Sequence, residues 1–248
     1  MKVIGMEIRG LHEAAYVLAA FALISLILAL IRDKLLAFSF GAGPVLDVYY
    51  AAFRIPDLIF AALGSLASAS ILLPFFIERF GKGDDEGRGF ANMIFTVFFA
   101  CMAIVSLAAF FLAPIIVPLV IPGFQNDPDL SVLLASMRIM LLSPFFLGLS
   151  NLFSSLTQMR HRFLVYAASP VVYNISIILG VLLGYPYFGV KGLAIGVAVG
   201  AFLHMAIQLP FMAYEGFVPR FVGRVDWKSL RSIVGTAFPR TITLGANQ

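Results

Sequence analysis

Six stretches of this chain contain no charged residue over lengths sufficient to cross a bilayer. A helix needs about 20 predominantly apolar residues to span the hydrocarbon core. Only 12% of the residues are charged, about half the share found in soluble domains. The sequence therefore predicts an all-α polytopic membrane helix bundle. The six stretches that predict complete transmembrane helices are residues 14–31, 58–77, 89–126, 139–159, 163–190 and 192–214.

The third stretch and the C-terminal region add two expectations. We expect the third helix to end near Leu119, with Pro118 and Pro122 marking a break before a re-entrant or interfacial piece. A seventh helix is expected to begin near Ser232, and the end of the sequence within an apolar segment favours a piece of a longer protein. The predicted organisation is a six-helix transmembrane lobe at 1–214, a basic amphipathic cytoplasmic connector at 215–231 and the start of a seventh helix at 232–248.

The distribution of Lys and Arg predicts the orientation of the helices, because short cytoplasmic loops carry an excess of these residues. They are concentrated at Lys2 and Arg9, and in the segments 78–88, 160–162 and 215–231. Fewer lie in the segments on the opposite side of the predicted helices. We therefore expect a cytoplasmic N-terminus.

Several classes of function find no support in the sequence. The single cysteine, Cys101, leaves no disulfide framework, and the three histidines are too far apart in sequence to form a metal-ligand motif. Phosphate-binding loops, dinucleotide fingerprints and nucleophile motifs are absent from the sequence. We therefore expect no enzymatic activity, no cofactor and no metal. No nucleic-acid partner is expected either, since no basic stripe accompanies the net charge of +4.

A block of charged residues between the first two predicted crossings is the strongest candidate for a binding site. Each charge placed at bilayer depth costs roughly 2.5–3.5 kcal/mol on insertion scales, so it must pair, line a wet cavity or bind a ligand. One interpretation is snorkelling at the interface with local ion pairs such as Arg32–Asp47. The other is a cavity that binds anionic headgroups, since the planar fork of Arg matches phosphate oxygens. The six charges of the block are Arg32, Asp33, Lys34, Asp47, Arg54 and Asp57.

Small and polar residues inside the later stretches predict how the helices pack. Glycines spaced four residues apart in the fifth and sixth crossings allow two helices to approach closely. Asn174, His204 and Gln208 are expected to form interhelical hydrogen bonds rather than a substrate or proton path. The glycines are Gly180, Gly184, Gly192, Gly196 and Gly200.

The charged block resembles a known family. It contains an Arg-Asp pair at Arg32 and Asp33, a Phe-Gly-Ala-Gly turn at 40–43, an Asp before two tyrosines at 47–50, and Phe-Arg-Ile-Pro at 53–56. These residues resemble the MurJ/MviN lipid II flippases of the multidrug/oligosaccharidyl-lipid/polysaccharide exporter superfamily. The resemblance is strong at residues 31–56 and looser over most of the remaining chain.

The resemblance implies an architecture and an activity. About fourteen helices would form two lobes around a central cationic cavity, and this chain would supply the N-terminal lobe. The family moves a lipid-linked peptidoglycan precursor from the inner to the outer leaflet of the cytoplasmic membrane by alternating access. The implied partners are this precursor, membrane lipids and cell-wall synthesis proteins. The substrate-binding residues carried over by position are Arg32, Asp33, Asp47 and Arg54.

The sequence departs from the family pattern at four positions where charge is expected. Leu26 replaces an arginine, Phe60 and Ala61 replace a double arginine, and Ser65 replaces a glutamate. Two alternatives to lipid II transport therefore remain open. One is an exporter of another polyprenyl-diphosphate-linked glycan or of a drug, and the other is a non-transporting scaffold for cell-wall enzymes.

Overall fold

The computed structural model describes residues 11–245, and every regular element in that range is helical. The all-α prediction is therefore confirmed for the described part of the chain. The predictions that concern Lys2, Arg9 and the last three residues of the predicted seventh helix fall outside the described residues. Within residues 11–245, five helices are long and apolar enough to cross a membrane, and they span Ala15–Phe40, Asp84–Val120, Leu130–Met159, Phe163–Phe188 and Val190–Tyr214.

The second predicted crossing, 58–77, is not one continuous helix. Helix α1 spans Leu11–Phe40, and α2 (Pro44–Leu63) is followed by a 3-10 turn at Gly64–Ala67 and by α3 (Ala69–Lys82). The extended backbone of Ser68 separates the turn from α3. The prediction began too late in the chain, because counting uncharged residues excluded Arg54 and Asp57, which lie on α2.

The third crossing agrees with its prediction at the C-terminal end. Helix α4 spans Asp84–Val120 and continues through Pro114 and Pro118; Ile121, next to Pro122, caps its C-terminus. The following crossing consists of α5 (Leu130–Met140) and α6 (Leu142–Met159).

The predicted fourth stretch started at 139 because it was defined by uncharged residues and Arg138 is charged. In the structure, α5 begins earlier, at Leu130, and includes Arg138. Its Nε donates a hydrogen bond of 3.2 Å to the carbonyl oxygen of Phe110. Its guanidinium carbon lies 5.0 Å from the centre of the Phe110 ring. These contacts with α4 accommodate a cation within a membrane helix, so a charge does not mark the end of the helix.

The fifth and sixth crossings meet along the predicted glycines. Helix α7 (Phe163–Leu179) continues through a π-helical segment at Gly180–Gly184 into α8 (Tyr185–Phe188), and α9 spans Val190–Ala206. A methyl group added at Gly180 would lie 2.8 Å from the Cα of Gly196, and one at Gly184 would lie 2.7 Å from the carbonyl oxygen of Gly192. The predicted close approach of the two helices is confirmed.

Three of the basic segments predicted to share one side of the membrane do meet at one end of the bundle. Helix α10 (Leu209–Tyr214) is followed by an irregular segment at 217–226 and by α11 (Trp227–Gly245). The contacts that join these segments are Arg160–Asp84 at 3.5 Å, Arg162–Glu215 at 3.1 Å, Arg88 to the Gly216 carbonyl at 2.5 Å, and Arg79–Asp226 at 3.7 Å.

Helix α11 begins at Trp227 rather than at the predicted Ser232, because Asp226 caps its N-terminus. The Asp226 carboxylate accepts hydrogen bonds from the backbone N–H groups of Lys228 and Ser229 at 3.0 and 3.2 Å. The hydrogen bond from the Ser229 hydroxyl is the main cause that lowers the pKa of Asp226 below its usual range. The irregular backbone at 217–226 replaces part of the amphipathic connector that was predicted at 215–231.

Candidate functional site

A polar cavity of about 430 Å³ lies between α1, α2 and α7. Helix α1 contributes an Arg-Asp pair, α2 contributes charged and aromatic residues, and α7 contributes one tyrosine. The polar residues that line the cavity are Arg32, Asp33, Tyr49, Tyr50, Arg54, Asp57 and Tyr173.

Arg32 is fixed on two sides before any ligand is present. Its Nε and Nη2 lie 2.9 and 2.8 Å from Oδ1 of Asp33, and its Nη1 donates a hydrogen bond of 2.9 Å to Oδ1 of Asn174. The Asn174 amide in turn donates to the Ser25 hydroxyl at 3.1 Å and to the Pro170 carbonyl at 3.0 Å. The Arg32 side chain keeps 24% of its surface exposed. The guanidinium is therefore held in one orientation while part of it remains accessible from the cavity.

The cavity lies deep in the bundle rather than at the outer end of a helix pair. Asn174, which contacts Arg32, lies in the middle of the crossing Phe163–Phe188. At 1.5 Å per residue, Asn174 is about 17 Å from the start of that crossing, and the hydrocarbon core is about 30 Å thick. A charged group at this depth requires polar partners, which Asp33 and Asn174 provide.

The structure brings three of the four predicted site residues together. Arg32, Asp33 and Arg54 line the cavity, whereas Asp47 is exposed in the first turn of α2 and does not line it. The ion pair Arg32–Asp47, offered as one interpretation of the charged block, is not formed. Asp47 lies about 7 Å closer to the α1–α2 turn than Arg32 does, judged from the helical rise.

Residues that were not selected as site residues also line the cavity. Asp57 lies one helical turn beyond Arg54 on α2, and Tyr173 precedes Asn174 on α7. The turn spacing from Arg54 could have identified Asp57, but the sequence offers no comparable indication for Tyr173.

The charges of this cavity are balanced, since two arginines face two aspartates. Arg32 and Arg54 supply hydrogen-bond donors suited to phosphate oxygens. The hydroxyl groups of Tyr49 and Tyr173 add groups that both donate and accept. The arrangement suits a polar headgroup that carries an anionic group.

A second polar cluster joins α6 to the end of α9. Oγ of Ser150 lies 2.7 Å from Nδ1 of His204, and the Ser154 hydroxyl donates a hydrogen bond of 3.1 Å to Gln208. The interhelical hydrogen bonds predicted for Asn174, His204 and Gln208 are thus confirmed. Within residues 11–245, no group of three or more His, Cys, Asp or Glu side chains is arranged to hold a metal ion.

The fold and the cavity define a multi-pass helical membrane protein with a polar cavity between three of its helices. Residues 36–248 match the family model described as lipid II flippase MurJ. The chain therefore belongs to the MurJ family.

Curated relatives and a solved structure agree with this assignment. A probable lipid II flippase MurJ of Buchnera aphidicola subsp. Baizongia pistaciae is 30% identical over 79% of this chain and 39% of the relative. The lipid II flippase MurJ of Burkholderia cenocepacia is 29% identical over 90% of this chain and 44% of the relative. A structure of lipid II flippase MurJ in an inward closed conformation shares the fold with a TM-score of 0.74 at 23% identity, covering 93% of this chain and 48% of that one. The chain thus spans less than half the length of these proteins.

Proposed function

We propose that this chain forms the N-terminal lobe of a flippase that moves the lipid-linked peptidoglycan precursor lipid II from the inner to the outer leaflet. The protein would act by alternating access in the cytoplasmic membrane, with its N-terminus in the cytoplasm. Residues 1–214 form the first lobe in this proposal, 215–231 form the connector, and 232–248 start the second lobe. We further infer that it catalyses no covalent step. Membership of the MurJ family and the relatives' names support this proposal.

The single observation that carries the proposal is the anchored Arg32 in a cavity at mid-depth of the bundle. Transport across a bilayer requires that a polar headgroup be stabilised where the surrounding medium is hydrocarbon. Arg32 is partly exposed and oriented by Asp33 and Asn174, so it is ready to donate to a diphosphate oxygen. Pre-organised donors lose little conformational freedom on binding.

We propose distinct roles for the four predicted site residues. Arg32 and Arg54 bind the diphosphate, and Asp33 positions Arg32 through the contacts at 2.9 and 2.8 Å. Asp47 lies outside the cavity, in the exposed first turn of α2. We assign it to the end of the path, where the headgroup is exchanged with the aqueous phase.

The test is a transport assay of the full-length protein in vesicles that contain labelled lipid II. We expect Arg32→Ala to lower the transport rate about tenfold or more, since it removes a charge-assisted contact worth at least about 1.4 kcal/mol. Arg138→Ala is the matched control, because Arg138 is also an arginine within a membrane helix, contacts Phe110 of α4 and does not line the cavity. Equal rates for the two variants, or no transport by the folded wild-type protein, would reject the proposal.

One alternative substrate class is another polyprenyl-diphosphate-linked glycan, because four positions where the family resemblance predicts charge are uncharged in this sequence. Leu26, Phe60, Ala61 and Ser65 supply no charge for a second diphosphate contact. Competition between lipid II and other polyprenyl-diphosphate lipids distinguishes the two substrates. A scaffold role instead predicts that the protein retains cell-wall synthesis partners in pull-downs while it moves no lipid.

A further inference from the structure

A second cavity, of about 460 Å³, lies at the basic end of the bundle, between α3 and the turn that joins α6 to α7. It is separate from the polar cavity and shares no lining residue with it. One wall is apolar and consists of Leu73 and Ile77 on α3 and Phe163 at the start of α7. Ile77 has 57% of its surface exposed. The groove is therefore open along an apolar face of a membrane protein.

The opposite wall carries a cation that is only partly neutralised. Arg160 stacks on the ring of Phe80, with its guanidinium carbon 5.2 Å from the ring centre. Its Nη2 lies 3.5 Å from Oδ1 of Asp84, and 38% of its side-chain surface is exposed. A single long contact to an exposed carboxylate is weak in solvent. The guanidinium therefore keeps donors for an anionic oxygen.

An unsatisfied hydrogen-bond donor lies in the same wall. Nε2 of Gln158 is shielded from solvent and has no hydrogen-bond partner in the described part of the chain. His161 follows in a turn with a φ of 57°, which is held by the hydrogen bond from its N–H to the Gln158 carbonyl at 3.0 Å. A shielded amide without a partner costs roughly 1–3 kcal/mol. Gln158 itself is half-buried and lines the groove, so rotation of its side chain would let Nε2 donate to an acceptor oxygen there and remove that cost.

We propose that this groove binds an anionic phospholipid, with the phosphodiester at Gln158, Arg160 and His161 and one acyl chain along Leu73 and Ile77. The combination of donors on one wall and hydrocarbon on the other matches a lipid better than a soluble phosphate ion. Charged and hydrogen-bonding groups at the basic end lie where the headgroups of the adjacent leaflet are. The bound lipid would join α3 to the α6–α7 turn and stabilise their contact. Asp84 competes with the phosphodiester for Arg160 in this arrangement.

The test uses the full-length protein in phosphatidylcholine nanodiscs that contain a small fraction of a photo-crosslinkable phosphatidylglycerol. Peptide mapping measures the crosslink yield at α3 and at residues 158–163. We expect Arg160→Gln to lower the yield about tenfold and Gln158→Leu to lower it as well. Asp84→Asn is expected to raise the yield, because it releases Arg160 from its competing contact.

Arg138→Gln is the matched control, since Arg138 also stacks on a phenylalanine, at 5.0 Å from Phe110. Its yield at residues 158–163 should equal that of the wild type. Equal losses for Arg160→Gln and Arg138→Gln would overturn the proposal, because they would indicate a general effect of positive charge. Displacement of the lipid by inorganic phosphate at an equal concentration would also overturn it. Thermal unfolding verifies that each variant is folded, and Arg160→Lys replaces Arg160→Gln if the latter is not.

Discussion

Arg32 shows how one charged side chain is retained inside a bundle of apolar helices. Its own helix provides Asp33, and α7 provides Asn174, which is itself held by Ser25. The polar contacts reduce the cost of placing the cation at this depth. They also fix the direction in which the remaining N–H groups of the guanidinium point, so the same contacts serve both stability and ligand binding.

At this scale we predict that Asn174→Leu destabilises the protein by about 1–2 kcal/mol, because Arg32 and Ser25 each lose a hydrogen-bond partner. Thermal unfolding in detergent measures the change. Asn126→Leu, at an exposed turn position, is the control and should leave the midpoint unchanged. An Asn174→Leu protein as stable as the wild type would show that the hydrogen bond does not hold Arg32.

The sequence predicted these residues in part. The resemblance placed Arg32 and Arg54 among the site residues, and both line the cavity; residue chemistry indicated that Asn174 bonds across helices. Asp57 lines the cavity whereas Asp47 does not, because the position of a carboxylate along the helix axis depends on where the α1–α2 turn lies. Counting residues along the sequence does not give the position of a side chain along the helix axis relative to the cavity.

At the scale of helices, the fifth and sixth crossings pack closely through backbone atoms. The π-helical segment Gly180–Gly184 lies against the glycines of α9, where Gly192 and Gly196 contact it directly. Small residues of this kind give membrane helices a large dispersion contact without a hydrophobic driving force. The glycine spacing allowed this packing to be predicted from the sequence.

We predict that Gly196→Ala destabilises the protein by about 1–3 kcal/mol, because the added methyl would lie 2.7 Å from the Cα of Gly180 and the backbones would have to separate. Gly89→Ala is the control, since no atom lies within 4 Å of the added methyl group on α4. Thermal unfolding of both variants provides the comparison. Equal stability of the two variants would contradict the close packing.

Helix ends were harder to predict than helix contacts. The fourth predicted stretch began at 139 because Arg138 was taken as a boundary, although its stacking on Phe110 allows α5 to begin at Leu130. The second stretch failed in a similar way at Arg54 and Asp57. In each case, contacts with another helix or with the polar cavity reduce the free-energy cost of placing the charge in a membrane helix. These contacts cannot be read from the sequence.

At the scale of the whole molecule, three basic segments that are distant in sequence form one end of the bundle. Arg160 contacts Asp84, and Arg162 contacts Glu215, so the α3–α4 loop, the α6–α7 turn and the connector lie together. The agreement with the charge distribution supports placing this end at the cytoplasm. The turn near Asp127, beyond the far end of α4, then belongs to the opposite face.

This orientation predicts a sided labelling pattern. In a Cys101→Ser background, Asp127→Cys should react with a membrane-impermeant maleimide applied to spheroplasts, whereas Asp85→Cys should react only after the membrane is permeabilised. Both positions are occupied by short acidic side chains, so they form a matched pair. Labelling of Asp85→Cys in intact spheroplasts would reverse the assigned orientation.

The direct backbone contact between α7 and α9 also limits how this lobe can change shape. A methyl group added at Gly180 or Gly196 would lie within 2.8 Å of the opposite glycine Cα, so tilting one helix away from the other would open a void between closely packed backbones. We therefore expect α7 and α9 to move as one rigid body, together with Tyr173 and Asn174 of α7. Any widening of the cavity would then come from α1, which meets α2 at Gly41, a residue with a φ of 61°, and such a movement must break the hydrogen bonds that join Asn174 to Arg32 and Ser25.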